Sequence, residues 1–364
     1  MPRLIAVLLL AAAPLFAAGI AAQGAPPAVP PKPTTQLPAW AYPVPNPADQ
    51  AFIRKDDGAP IRMPNSNRTY TLTQIDDNFN PPDWHPEDHP APPASVLHGK
   101  PPEARACGLC HLPIGTGHPE SSFIAGLPKD YMFEQIVAFR NGNRRSSVPL
   151  RSRNMIMLAK QWSDAEVKAA IDYFAALPRR RWVRIVQSAT VPQTILPGLM
   201  RFMKPGGATE PLGRRIIEFA ETRERSEGRD TRAGAGFVAY VPVGSVKKGE
   251  DLVTTGGART VGGKIVAGKT MACGMCHGPD LKGLPNVPGT GISVPGLVGL
   301  HPVYVVRQLY DMQHGTRVGA AVALMQPVIS NLTIDDMINI AAYTASLDPG
   351  GPDLRPKPTP SATN

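Results

Sequence analysis

Cysteine is scarce in this chain. Only four occur in 364 residues, and all four fall in two short clusters. That scarcity excludes a disulfide framework spread over the fold. Aromatic residues are also few, at 6%. A core poor in large side chains must fill its interior with something else, and a buried cofactor would serve. No Lys/Arg run interleaved with aromatics is present, so nucleic acid is not expected as a partner. After the first residues no apolar run is long enough to cross a bilayer. An excess of acidic charge is missing as well. The net charge is +9, which leaves an anionic surface or an acidic protein as candidate partners. Proline is abundant instead, 42 residues against 34 glycines, and this points to long extended segments.

The chain opens MPRLIAVLLLAAAPLFAAGIAAQGAPPA. Arg3 gives a positive start, Leu4 to Ile20 an apolar stretch, and small residues follow. This reads as a secretory signal peptide over residues 1–22. A membrane anchor is the alternative, but Pro14 interrupts the run. The mature chain is expected to be soluble and periplasmic, with no integral membrane segment after cleavage.

Residues 23–95 are Pro-rich and read as an extended arm, able to wrap a folded domain through Trp40, Tyr42 and Trp84. A floppy linker is the other reading. Within this arm RTYTLTQIDDNF alternates as one short strand would. Residues 96–180 form a first compact unit closed by a helix, WSDAEVKAAIDYFAAL. Its apolar residues at 167, 170, 171, 174 and 177 have helical spacing. Ser163 and Glu166 make a capping box, and Pro178 ends the helix. Residues 181–245 are a connector in which RWVRIV and GFVAYVPV read as strands and EPLGRRIIEFAE is ambiguous. Residues 246–349 form a second unit, and 350–364 a disordered tail.

The second unit repeats the first. ACGMCH echoes ACGLCH, Tyr304 and Gln308 align with Tyr131 and Gln135, Met325 aligns with Met155, and IAAYTASL echoes IDYFAAL. Four blocks in the same order indicate tandem duplication.

Cys107-Gly-Leu-Cys110-His111 and Cys273-Gly-Met-Cys276-His277 are both C-x-x-C-H, the haem c (heme c) attachment signature. Two thiols three positions apart on a tight turn can bond the two vinyl groups of one porphyrin. The adjacent histidine then gives the iron an axial ligand. Two copies imply two covalently bound haem c groups. A redox dithiol needs only C-x-x-C, and a shared zinc site would have to join clusters 166 residues apart. Intracluster disulfides are the third alternative.

Each repeat resembles a class I cytochrome c domain, and the pair resembles a tandem dihaem cytochrome. The resemblance covers the two compact units and implies a mostly α fold, two tandem class I cytochrome c domains with the Pro-rich arm and a partly β connector. It also implies a methionine as sixth iron ligand, in a loop before the final helix. Met155 to Trp162 and Met325 to Leu332 keep the same seven-residue step, so Met155 and Met325 are the expected distal ligands. Met157 is the rival in the first unit. The family's P-x-L-x-G stretch, whose Pro carbonyl holds the proximal histidine, is matched by Pro295-Gly-Leu-Val-Gly. Ser122 replaces that Pro in the first unit, and Leu112 replaces the Gly that follows His277 in the second. His98, His118, His301 and His314 are expected on surfaces or loops.

The resemblance implies single-electron transfer between a dehydrogenase as donor and an oxidase or other acceptor, with no bond-making chemistry. A peroxidase-like dihaem oxidoreductase or a cytochrome subunit held in a dehydrogenase complex are the alternatives. A thiosulfate-oxidising dihaem enzyme would need a Cys ligand to iron, and both motifs already use every cysteine. Lys/Arg outnumber Asp/Glu by 14 to 7 between residues 95 and 184. Arg140, Arg144, Arg145, Arg151, Arg153 and Arg179 to Arg181 suggest a docking face for an acidic partner.

Overall fold

The computed structural model describes residues 36–351. The signal peptide expected over 1–22, the first part of the arm and most of the expected tail lie outside the described residues. Helix predominates at 37%, but strand reaches 15%, so the fold is mixed rather than simply mostly α.

The first repeat is built from a one-turn helix at Gly108–His111 and longer helices at Lys129–Arg140, Leu150–Gln161 and Asp164–Ala176. The second has the same series: Gly274–His277, Pro302–Gln313, Ala320–Ile329 and Ile334–Ser346. Both closing helices start on a capping box. Ser163 pairs with Glu166, and Thr333 with Asp336. Each box satisfies two amide donors that the first turn leaves open.

The repeats differ at their beginnings. In the second, helix Ser245–Thr255 packs across helix Ile334–Ser346. Gly249 sits at the crossing, where a Cβ would fall on the Asn339 carbonyl oxygen. In the first, a single turn at Ala94–Leu97 does this work, and Ser95 donates its hydroxyl to the Glu166 carbonyl at 3.2 Å.

The connector folds as a three-stranded sheet in the order Val183–Gln187, Phe237–Val241, Ile217–Ala220. The first pair is parallel and the second antiparallel. The ambiguous EPLGRRIIEFAE segment therefore supplies strand Ile217–Ala220. All four of its residues are buried, so no alternation announces it. One continuous apolar core runs through both repeats and this sheet.

Residues 36–95 lie against the folded body. Tyr42 and Trp84 are each 2% exposed. Tyr42 Oη donates to Asp311 Oδ1 at 2.8 Å, and Trp84 Nε1 to the Gly228 carbonyl at 2.6 Å. Trp40 is half-buried against the main core. The strand expected in RTYTLTQIDDNF is instead a turn of helix at Leu72–Ile75, preceded by one bridge from Tyr70 to Ile61. Thr71 and Gln74 close a capping box there, a local hydrogen-bond gain that outweighs the alternation.

Two outcomes follow from this packing. Gly249→Val forces the 245–255 and 334–346 helices apart, and thermal or denaturant unfolding should show a loss of about 1–3 kcal/mol. Lys100 and Ser163 hold the Glu166 carboxyl down at about 2, well below its ordinary 4.5. The stabilisation is complete above 4.5 and is lost as the pH falls toward 2. Glu166→Gln should therefore lower the melting temperature near neutrality, and the gap to the native chain should close as acid is added.

Candidate functional site

Each C-x-x-C-H turn faces a cavity. The first, of about 240 Å³, is lined by Cys107, Cys110, His111 and Met155. The second, of about 440 Å³, is lined by Cys273, Cys276, His277 and Met325. His111 Nδ1 lies 2.8 Å from the Ser122 carbonyl oxygen, and His277 Nδ1 lies 2.8 Å from that of Pro295. A carbonyl can only accept, so each Nδ1 carries the proton and each Nε2 keeps its lone pair. Burial lowers the pKa of both histidines and holds them neutral, the form that binds a metal. Burial also pushes the Cys107 thiol up to about 12 and the Cys273 thiol to about 11. A redox dithiol needs the opposite shift.

Leu112 and Gly278 occupy the same position after the histidine and share one backbone shape. Their φ, ψ pairs are 59°, 155° and 85°, 153°. Glycine takes this conformation freely, whereas a leucine there is strained by roughly 1–3 kcal/mol. Leu112 is 1% exposed, and its burial offsets that strain.

Methionines 155 and 325 do not lie in loops. They sit within helices Leu150–Gln161 and Ala320–Ile329. The first stretch has no Gly or Pro to break it, which favours helix over loop. Met157 is 38% exposed and lines neither cavity, whereas Met155 packs against the core.

The two cavities share a wall. Tyr131, Gln135, Arg144, Tyr304 and Gln308 line both. Arg144 donates to Gln135 Oε1 at 3.0 Å, to Tyr304 Oη at 2.8 Å and to Gln308 Oε1 at 3.3 Å. Arg317 donates to Gln308 Oε1 at 2.8 Å, to Tyr131 Oη at 3.3 Å and to Gln135 Oε1 at 2.9 Å. Each arginine thus bonds the glutamine of its own repeat and the tyrosine and glutamine of the other. The duplicated Tyr and Gln were visible in the sequence as signs of repetition, but nothing there indicated that they meet.

His118 and His301 lie in loops, one of the two placements expected, but inside the body and not at its surface, being 6% and 0% exposed. His301 Nδ1 pairs with Glu218 Oε1 at 2.6 Å, and both rings pack against Phe237. The connector sheet covers them, which no local pattern foretold. The arginine docking face also fails to form. Arg144, Arg179 and Arg180 are buried, and Arg140 is bound to Asp164 and two carbonyl groups. Arg181 is paired with Asp348 at 2.5 Å, leaving Arg145 and Arg153 exposed.

No protein-family model matches the chain. The thiosulfate dehydrogenase electron acceptor of Thiomonas intermedia is 26% identical over 249 residues, 68% of this chain and 80% of that protein. Cytochrome c4 of Azotobacter vinelandii is 31% identical over 147 residues, 40% of this chain and 66% of its own. Cytochrome c-554(548) of Halomonas halodenitrificans is 34% identical over 78 residues, which are 21% of this chain and 87% of that cytochrome. The chain belongs to the class I c-type cytochromes. It is a tandem cytochrome for two covalently bound haem c groups, and its work is electron transfer.

The first cavity tests whether such a cytochrome's cofactor fits. Ser146 Oγ, Trp162 Nε1 and all three guanidinium nitrogens of Arg151 are buried there without a protein partner. Buried donors left unpaired are costly. The propionate carboxylates of haem c are the acceptors these groups lack, so the residues fit. The second cavity contains none of the unpaired buried atoms found among the described residues. Both sites are lined mainly by apolar side chains, but only the first holds unpaired buried donors, three of them on the Arg151 guanidinium. A redox titration of this cytochrome should resolve two reduction potentials, and a single potential for both haems would contradict the asymmetry.

Proposed function

We propose that the chain is a periplasmic carrier of single electrons, with His111 and Met155 as axial ligands in the first site and His277 and Met325 in the second. Haem c supplies one-electron exchange between ferric and ferrous iron. The protein's part is to hold the histidines neutral through the Ser122 and Pro295 carbonyl groups, to exclude water, and to close the sixth position with a thioether. Support comes chiefly from one observation: each methionine lines the same cavity as the C-x-x-C-H turn of its own repeat. A closed sixth position suits a carrier, since no iron site is left for a substrate. Covalent attachment falls to Cys107 and Cys110 in one site and to Cys273 and Cys276 in the other.

A dehydrogenase is the proposed donor, and an oxidase or another acceptor takes the electron onward. The name of the Thiomonas relative, an electron acceptor for thiosulfate dehydrogenase, favours that donor class. No helix among the described residues is long and apolar enough to cross a membrane, consistent with a soluble carrier.

Met155→Ala and Met325→Ala test the ligand pair. Each should convert one haem to a high-spin form in the EPR spectrum of the oxidised protein and lower one potential, leaving the other haem unchanged. Retention of two low-spin His/Met haems in either variant would refute the assignment. Peroxide turnover by the unmodified protein would revive the enzyme reading.

A further inference from the structure

The closing helices of the two repeats end alike. Leu177 caps one and Leu347 the other. The Gly126 amide donates to the Phe174 carbonyl and the Gly299 amide to the Thr344 carbonyl, each at 3.0 Å. Two residues past each leucine the repeats part. Pro349 stands against Gly299, where a Cβ would meet its ring at 3.4 Å. Arg179 holds the same place against Gly126, where a Cβ would meet its Cγ at 2.9 Å. The first repeat thus carries a long cation where the second carries a proline.

That side chain does not turn to solvent. Arg179 is 8% exposed, and its guanidinium reaches the other repeat. Nη2 donates to the Val298 carbonyl at 2.7 Å. Nη1 lies against Gly296, so close that any Cβ there would strike it. Within its own repeat the guanidinium lies over the Phe123 ring, 5.3 Å from the centroid. Phe123 follows Ser122, whose carbonyl holds His111. Gly296 follows Pro295, whose carbonyl holds His277. One guanidinium is therefore wedged between the two loops that orient the axial histidines.

The placement is costly. Nε and Nη1 have no partner. Burial lowers the pKa to about 10, so the group stays charged near neutrality, and no carboxylate among the described residues offsets it. An uncompensated buried charge is destabilising, and a buried donor without a partner calls for an explanation. Pro349 shows that the same corner closes without a cation. We propose that Arg179 is a positioning residue for both haem sites: it locks the Ser122 and Pro295 loops to one another, fixing the two axial histidines as a pair, and its uncompensated charge raises both reduction potentials.

The inference rests on the electron-carrier reading and deepens it. Reduction of either site adds one electron and turns one ferric iron ferrous, so the charge of that site falls by one. A fixed cation in a low-dielectric interior favours the less positive, ferrous form. The planar fork matters separately. It can hold a carbonyl with one nitrogen while its face lies on an aromatic ring, and an ammonium group keeps the charge without both contacts. Charge and positioning can therefore be told apart.

Spectroelectrochemical titration of the holoprotein reads both potentials. Proton NMR of the reduced holoprotein reads the Nδ1–H signals of His111 and His277. Arg179→Met should move the equilibrium of each haem toward ferric by at least about threefold, a fall of roughly 28 mV at about 59 mV per tenfold for a one-electron couple. Both Nδ1–H signals should move with it. Arg179→Lys should restore both potentials while both Nδ1–H signals stay displaced. Arg181→Met removes a neighbouring charge that Asp348 already offsets, and it should alter neither readout. Unchanged potentials in Arg179→Met, a shift confined to one haem, or movement of one histidine signal alone would overturn the proposal. So would an equal fall of potential in Arg179→Lys or in Arg181→Met. If Arg179→Met takes up no haem, Arg179→Lys decides: displaced histidine signals at native potentials support the assignment, and native signals overturn it. A holoprotein that dithionite fails to reduce would instead refute the electron-carrier reading, so the two failures are distinguishable.

Discussion

Two guanidinium groups, Arg144 and Arg317, set how the cofactor sites face one another. Each reaches across the boundary to a tyrosine and a glutamine of the other repeat while holding the glutamine of its own. The two arginines are also paired through their backbones by an antiparallel bridge. Buried guanidinium groups are stable only when their donors are satisfied. Planar forks with several donors suit this girdle, where one lysine could not replace them. Both are buried, so moving either repeat would strand charge in the interior. The shared wall of the two cavities follows from this constraint.

Duplication made two similar sites, and later additions made them different. Helix Ser245–Thr255 braces the second repeat, whereas the first has only a turn at Ala94–Leu97. The arm and the connector fill the space this leaves. Trp84 reaches Gly228, and His85 Nε2 lies 3.1 Å from Asp230 Oδ1, so arm and connector are fastened to each other as well as to the first repeat. The result is one enclosed motif and one open motif. The unpaired donors of Ser146, Arg151 and Trp162, found in the first cavity and not the second, extend the same asymmetry to the cofactors' surroundings.

Much of this was legible in the chain itself. C-x-x-C-H requires its residues to be adjacent, so the haem attachment points are local facts. The closing helices were legible too, because capping residues and apolar spacing act over a few positions. Strand Ile217–Ala220 was not, since a strand buried on both faces shows no alternation. The turn at Leu72–Ile75 was misread because a capping box there outweighed a short alternating pattern. The arginines were misread for another reason. Their count gives charge but says nothing of where the partners lie, and the partners of Arg144 are 160 and 164 residues away.

The sequence by itself determined two haem c sites, their duplication and the helices that frame them, because those features depend on residues close together in the chain. Tertiary structure alone decided that the sites share a wall, that His301 is buried against Glu218, and that one C-x-x-C-H turn is covered while its twin is open. The contacts that carry these features include pairs 83, 120 and 160 residues apart, which no local pattern encodes.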